Sequence, residues 1–373
     1  MPTEVLNLTD EATYHERVRR AAEVLRNGGL VAFPTETVYG VGARADSPDA
    51  VAALRQAKGR EETKPFTVHI ARPQEVDRFV PSMSGLGRRL VRKSWPGPIT
   101  LVFPVPDRSG VAFVQELGDE RAGLIYHEGY VGIRCPDDRV AGDFLAEAAV
   151  PVVAASANRA GQPPPRSPAG VLSELEGRID ILLDGGEARY AKPSTVVQLN
   201  GDGYAVLREG VIEARTIDRL AALTVLFVCT GNTCRSPMAA GLCRRAIADR
   251  LGCAPGELES RNVFVRSAGV GAFGGARASA HAVEALAELG IDIGGHLSEA
   301  LDLGAINEAD YVYCMTEAHR EAVLRLAPNA AAKTELLEAG EINDPIGGTL
   351  ETYQACASRI RTAVEKKVAE LEL

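Results

Sequence analysis

The segment Val225-Leu-Phe-Val-Cys229-Thr-Gly-Asn-Thr-Cys234-Arg235-Ser236-Pro237 constrains this chain more than any other. A run of apolar residues makes a buried strand that ends at Cys229, and Ser236-Pro237 opens a helix. A loop this short between strand and helix turns its backbone N–H groups inward. With the helix N-terminus they form a nest for a tetrahedral dianion. Gly231 and Asn232 are residue types that tolerate left-handed backbone. Arg235 can grip two phosphate oxygens in fork geometry. The same positive field favours a thiolate at Cys229, and Ser236 is placed to donate a hydrogen bond to it. The expected chemistry is attack of Cys229 on phosphorus, giving a phosphocysteine. Thr230, Gly231, Asn232, Thr233, Cys234 and Ser236 form the phosphate loop. The leaving group needs a proton, and Asp344 in Asn343-Asp344-Pro345 is the candidate general acid.

At 373 residues the chain exceeds one ordinary core. Strand and helix signals alternate through both halves, which predicts α/β architecture. The helix signal over Tyr14 to Asn27 stops at Gly28-Gly29, and Leu30 to Phe33 reads as a short buried strand. Ser47-Pro48 and Ser167-Pro168 each read as an N-cap followed by proline at the first helical position. Leu207 to Val211 reads as the last strand of the first half. We expect domains at 1–212 and 223–373, with 213–222 as linker. The second domain reads as a doubly wound parallel sheet of about four strands, which places ligands at strand carboxyl ends.

The net charge of −9 argues against strong direct binding to nucleic acid. No apolar stretch is long enough to span a membrane, and the first 30 residues show no signal peptide. The seven cysteines lack disulfide-scaffold spacing, so a reducing cytoplasm is expected. Cys243, Cys253, Cys314 and Cys356 read as structural. Cys234 either shields Cys229 by a reversible disulfide or only packs.

The amino-terminal half carries polar islands at element ends. They are Pro34-Thr35-Glu36-Thr37-Val38-Tyr39-Gly40, Lys58-Gly-Arg60 with Lys64-Pro65, Trp95-Pro-Gly-Pro98, Arg134, Ser156-Ala-Asn158, Ser194-Thr195 and Arg208. Lys58, Arg60, Lys64, Arg134 and Arg208 together would neutralise a triphosphate and a substrate carboxylate. In this half no Gly-x4-Gly-Lys-Ser/Thr loop is present, and no Gly-x-Gly-x-x-Gly follows a strand.

Two resemblances follow from these motifs. The order of islands from about 10 to 212 resembles the Sua5/YrdC/YciO family. That resemblance implies a twisted mixed sheet and synthesis of L-threonylcarbamoyladenylate from L-threonine, bicarbonate and ATP, for the tRNA modification t6A. It implies that Thr35, His69, Arg134, Ser156 and Ser194 hold L-threonine. Lys58, Arg60, Asn158 and Arg208 would hold ATP, with Mg2+ on its phosphates, and the tRNA threonylcarbamoyl transferase would be a partner. The stretch from about 223 to 373 resembles the low-molecular-weight protein tyrosine phosphatases, which implies Cys229 as nucleophile, Arg235 as phosphate clamp, Asp344 as acid, phosphorylated proteins as substrates and no cofactor. Thr233, and an acid segment without aromatic residues, resemble the protein arginine phosphatase branch, so phosphoarginine and phosphotyrosine both stay open. The joint expectation is a bifunctional enzyme. The alternative is a tyrosine phosphatase joined to a nucleotide- or RNA-binding sensor domain.

Overall fold

The computed structural model describes residues 2–59, 65–201 and 203–373. Two compact units divide the chain, residues 1–220 and 221–373.

The first unit is built on ten strands: β1 (Glu4–Asn7), β2 (Val31–Phe33), β3 (Gly40–Arg44), β4 (Thr67–His69), β5 (Ile99–Pro104), β6 (Tyr130–Arg134), β7 (Val152–Ser156), β8 (Ile181–Asp184), β9 (Thr195–Asn200) and β10 (Gly203–Arg208). Their order is β1-β8-β2-β3-β7-β4-β6-β5-β9-β10, and the sheet is mixed. β2 and β3 are antiparallel, β4 and β6 parallel, β5 and β6 antiparallel, and β5 and β9 parallel. Strand β2 is buried throughout. The helix Glu11–Arg26 packs Tyr14, Val18, Ala21, Ala22 and Leu25 against it in one cluster with Phe144 and Leu183.

Local capping behaves as the sequence predicts. Ser47 accepts from the Ala50 N–H and Pro48 occupies the first turn of the helix Pro48–Lys58, which Gly59 ends in left-handed conformation (φ 59°). Ser167 caps the helix Pro168–Leu175 in the same way. The last strand of this unit runs Gly203–Arg208, earlier than the expected Leu207 to Val211. Gly210 instead lies hard against Ser194, where an added Cβ would meet the Pro193 carbonyl at 2.2 Å.

The segment 213–222, expected as a linker, contains the helix Ala214–Ala221. Ile217 is fully buried there and Asp218 accepts from the Tyr204 hydroxyl. Ala221 is fully buried as well, and the helix is clearly amphipathic, a periodicity that the linker expectation passed over.

The second unit has four strands, β11 (Leu223–Cys229), β12 (Val263–Gly269), β13 (Tyr311–Cys314) and β14 (Thr334–Leu336), in order β12-β11-β13-β14 and all parallel. Every residue of β11 is buried. The helices Arg235–Leu251 and Leu350–Glu370 pack on each other, and both contribute to the core that holds Phe227 and Tyr313. A second cluster, with Val228, Ile306, Val312 and Val323, covers the other side. The chain is therefore α/β, with a large mixed sheet followed by a four-stranded parallel one. No helix among the described residues is long and apolar enough to cross a membrane.

Candidate functional sites

In the second unit β11 lies between β12 and β13, so the strand order reverses beside it. Its carboxyl end is where an open α/β sheet leaves a crevice for a ligand, and Cys229 is the last residue of that strand. The loop 230–234 leads straight into the helix Arg235–Leu251. Asn232 adopts the left-handed conformation (φ 53°), whereas Gly231 does not, which narrows the expectation for that pair.

Asn232 is fully buried and holds the loop from inside. Its Nδ2 donates to Ser236 Oγ (2.8 Å) and Ser267 Oγ (2.9 Å), and its Oδ1 accepts from the Glu299 N–H (2.8 Å). Ser236 Oγ lies 3.0 Å from Cys229 Sγ. The end of β12 presses on this loop: a Cβ on Gly269 would meet the Thr230 carbonyl at 2.5 Å and the Asn232 nitrogen at 2.9 Å.

Arg235 is buried. Its Nη1 donates to the Ile342 carbonyl (3.0 Å), and its Nη2 pairs with Asp344 and approaches Thr230 Oγ1 at 3.4 Å. Arg235 Nε is buried without a hydrogen-bond partner. A buried guanidinium N–H left unpaired beside an anion nest is a donor suited to an anion. Asp344 is about one-third exposed, and the geometry puts it within reach of both Arg235 and solvent. Thr233 Oγ1 is 3.6 Å from Cys234 Sγ, which in turn contacts Ser279 Oγ and the Tyr353 hydroxyl at 3.4 Å. Burial pushes the thiols of Cys243 and Cys314 up to about 12 and that of Cys356 up to about 11, so these three stay protonated near neutrality.

Three residues at this site carry no motif signal. Phe273 is fully exposed in the loop after β12, where the Val270 N–H reaches the Cys229 carbonyl (3.0 Å) and the Gly271 N–H the Thr230 carbonyl (2.9 Å). Ile346 is exposed two residues beyond Asp344. His319 contacts Thr230 from the start of another helix.

In the first unit a cavity of about 630 Å3 opens beside β3, β5, β6, β7 and β9. Thr35, His69, Arg134, Ser156, Asn158, Ser194 and Arg208 all line it. Arg134, at the end of β6, donates from Nη2 to Thr37 Oγ1 (2.6 Å) and lies 3.4 Å from Thr35 Oγ1. Thr35 and Thr37 bond each other at 2.8 Å in the β2–β3 turn. Glu36 of that turn is buried, 3.0 Å from Arg134 Nη2, yet both its carboxylate oxygens lack a well-formed hydrogen bond. Trp95-Pro-Gly-Pro98 braces the wall: Trp95 Nε1 donates to the Ile99 carbonyl (2.8 Å) and the Gly97 N–H to the Cys135 carbonyl (2.9 Å).

Burial, with the charge of Arg134 next, pushes His69 down to about 3. The ring is therefore neutral. Its Nδ1 lies 3.1 Å from the Thr67 carbonyl, which only accepts, so Nδ1 carries the proton and Nε2 presents a lone pair. Burial, then the charge of Arg134, holds the guanidinium of Arg208 below its usual range. Arg208 Nη2 donates to the Ser194 carbonyl (2.8 Å), and Ser194 Oγ lies 2.9 Å from Thr100 Oγ1. Asn158 Oδ1 is buried without a partner.

Lys58 is placed differently from the expectation. It is buried with its ammonium on the carbonyls of Ser156 and Asn158 (2.6 Å to the latter), and it does not line the cavity. It ties the helix end to the end of β7, because a buried ammonium is drawn to the nearest free carbonyls. Arg60 and Lys64 lie outside the described residues. Thr100, His127, Tyr130 and Gln198 line the cavity without any motif to announce them. Among the described residues no three His, Cys, Asp or Glu side chains converge as a metal cage.

These arrangements define two classes of site: a cysteine–arginine phosphate loop on a parallel sheet, and a cationic, hydroxyl-lined pocket on a mixed sheet. Residues 23–210 match the Sua5_yciO_yrdC family model, described as telomere recombination, and the chain belongs to that family. Residues 224–373 match the low molecular weight phosphotyrosine protein phosphatase family and form a domain of it. The chain is similar to the threonylcarbamoyl-AMP synthase of Bacillus subtilis, 36% identical over 215 residues, which are 57% of this chain and 59% of that protein. It thus spans less than two thirds of that relative. The threonylcarbamoyl-AMP synthase of Cellvibrio japonicus is 32% identical over 183 residues, 49% of this chain and 91% of that one. A solved structure of a doubly substituted Sua5 from Pyrococcus abyssi matches with a TM-score of 0.51 and 25% identity, covering 71% of this chain and 91% of that chain.

Proposed function

We propose that the protein is a bifunctional enzyme. The first unit makes L-threonylcarbamoyladenylate and pyrophosphate from L-threonine, bicarbonate and ATP, for tRNA t6A formation. The observation that carries this reading is the cavity itself, which gathers Thr35, His69, Arg134, Ser156, Asn158, Ser194 and Arg208 from separated stretches of chain. Arg134 suits the threonine carboxylate, and Thr35, Ser156 and Ser194 its hydroxyl and ammonium. His69 contributes a neutral acceptor. Arg208, Asn158 and Arg60 are assigned to ATP, with Lys58 setting the position of Ser156 and Asn158 rather than meeting phosphate. The Bacillus subtilis and Cellvibrio japonicus proteins carry the name of this activity.

The second unit is a cysteine-dependent protein phosphatase. Cys229 sulfur attacks phosphorus and the bond to the leaving nitrogen or oxygen breaks, with Asp344 supplying the proton to that atom. Water then attacks phosphorus, Asp344 takes its proton, and the Cys229–phosphorus bond breaks to release phosphate. The unpartnered Arg235 Nε supports a clamp in which Nε and Nη2 hold two phosphate oxygens. Phosphoarginine is the preferred substrate in this reading. Thr233 is small and polar, and the acid segment 344–348 brings no aromatic ring of its own.

The test measures kcat/KM for phosphoarginine and phosphotyrosine peptides, and pyrophosphate release that depends on both L-threonine and bicarbonate. A preference for phosphotyrosine removes Thr233 as a specificity marker. Pyrophosphate release that ignores threonine removes the synthase reading, and no release at all leaves a nucleotide-binding domain.

A further inference from the structure

β13 ends at Cys314, and the helix Glu317–Leu326 begins at once, with Thr316 as its N-cap. β13 is the neighbour of β11 at the point where the strand order reverses. The first turn of that helix therefore faces the phosphate loop across the crevice. His319 lies in this turn and is buried. Its Nδ1 lies 2.9 Å from Thr316 Oγ1 and its Nε2 2.9 Å from Thr230 Oγ1, the first residue of the loop after Cys229. Thr230 Oγ1 in turn lies 3.4 Å from Arg235 Nη2. Four side chains from two stretches of sequence thus form one line: Thr316, His319, Thr230, Arg235.

The direction of these bonds can be worked out. Arg235 only donates, so Thr230 Oγ1 accepts from it. Burial, then the charge of Arg235, pushes His319 down to about 4, although Asp344 and Glu341 pull the other way. The ring is neutral and has one N–H and one lone pair. Thr316 Oγ1 accepts from the His319 backbone N–H (3.4 Å), which leaves its own hydrogen for Nδ1. In the tautomer with the proton on Nε2, the ring accepts from Thr316 and donates to Thr230.

We infer that His319 is a positioning residue of the phosphatase site: it fixes the Thr230 hydroxyl, and through it the Nη2 edge of Arg235. The inference rests on the phosphatase reading above. Arg235 must exchange Asp344 for a phosphate oxygen when substrate arrives, while Nη1 stays on the Ile342 carbonyl. With Thr230 held by His319, that exchange is a small rotation about a fixed guanidinium plane. With His319 removed, Thr230 is free to change rotamer and the guanidinium has lost one of its two lateral supports. Ordering that edge then adds to the cost of binding a phosphoryl group.

The test uses the full-length protein with para-nitrophenyl phosphate as substrate and inorganic phosphate as competitive inhibitor. His319→Ala is expected to raise KM and the phosphate Ki together by about tenfold, the scale of one charge-assisted hydrogen bond. kcat should change by less than about threefold, since the sulfur and the acid are untouched. His319→Gln keeps an N–H donor near the Nε2 position and should recover most of the loss. Thr230→Val, which keeps the shape of an exposed side chain, should reproduce the His319→Ala effect. The double variant should be no worse than either single one. Additive losses in the double variant overturn the inference, as does a phosphate Ki unchanged in His319→Ala. Should His319→Ala fold poorly, Thr230→Val with His319→Gln still decides: an unchanged phosphate Ki in Thr230→Val refutes the relay. Cys229→Ser serves as the separate check on the phosphatase reading. Turnover that survives it removes that reading, whatever the His319 variants do.

Discussion

Replacing Asn232 by alanine isolates what holds the phosphate loop. The side chain is fully buried and makes three hydrogen bonds between 2.8 and 2.9 Å, to Ser236, Ser267 and the Glu299 N–H. Alanine removes all three and leaves their partners unpaired, at about 1 kcal/mol each. It also places a Cβ-bearing residue without the local hydrogen bonds of asparagine at φ 53°, at roughly 1 kcal/mol more. If the loop absorbs most of this, the loss is on the order of 4 kcal/mol, near three decades in kcat/KM. The expected fall is about 100- to 1,000-fold, mostly in kcat, because Ser236 is the group that holds Cys229 sulfur. Asn232→Gly tests the apportionment. It loses the same bonds but accepts the left-handed backbone, so it should recover no more than about fivefold. Steady-state kinetics on a phosphopeptide and the thermal transition of the phosphatase unit give both quantities. An Asn232→Ala protein within about threefold of the parent would refute the reasoning, since the loop would then hold its shape from the backbone alone.

Asp344→Asn should lower kcat by about 100-fold on substrates with poor leaving groups and far less on para-nitrophenyl phosphate. It should also tighten phosphate inhibition, because the ion pair that competes for Arg235 is gone; weaker inhibition would contradict that competition. Glu36→Gln leaves the buried Arg134 without its countercharge and should destabilise the first unit by about 3 kcal/mol. A change below about 0.5 kcal/mol in denaturant unfolding would show that the pair is not a support. The neutral His69 sets a pH dependence. Its folded value of about 3 lies below the ordinary 6.5, so between those limits the unfolded chain binds a proton that the native one does not. Stability therefore falls as pH drops from 6.5 toward 3, by at most about 1.4 kcal/mol per pH unit from this group. His69→Asn should flatten that slope, and an unchanged slope would assign the acid sensitivity elsewhere.

Much of the local geometry of the candidate phosphatase site was legible because its parts are neighbours in the chain. Cys229, Asn232, Arg235 and Ser236 sit within one strand–loop–helix turn, where local geometry decides position. The helix starts at Ser47-Pro48 and Ser167-Pro168 were legible for the same reason. The fourth strand, Thr334–Leu336, was not located in sequence. Three residues carry no period, and pairing with β13 alone makes them a strand. The helix Ala214–Ala221, expected as linker, buries Ile217 and Ala221.

Sequence by itself determined the chemistry on offer: a thiol, a guanidinium and a carboxyl in one half, and scattered cations, hydroxyls and an imidazole in the other. It also determined the local turns, since capping and short strand–helix loops are short-range effects. Tertiary structure alone decided which of these groups meet. A ten-strand order that sets β7 between β3 and β4 brings Ser156 and Asn158 to the same cavity as Thr35 and His69. It also set the Lys58 ammonium on two carbonyls, and neutralised His69 by burial. In the second unit the adjacency of β11 and β13 delivered His319 to Thr230 from 89 residues away. Such contacts depend on how strands are ordered across a sheet, a long-range choice made by the whole core, and no local run of residues encodes it.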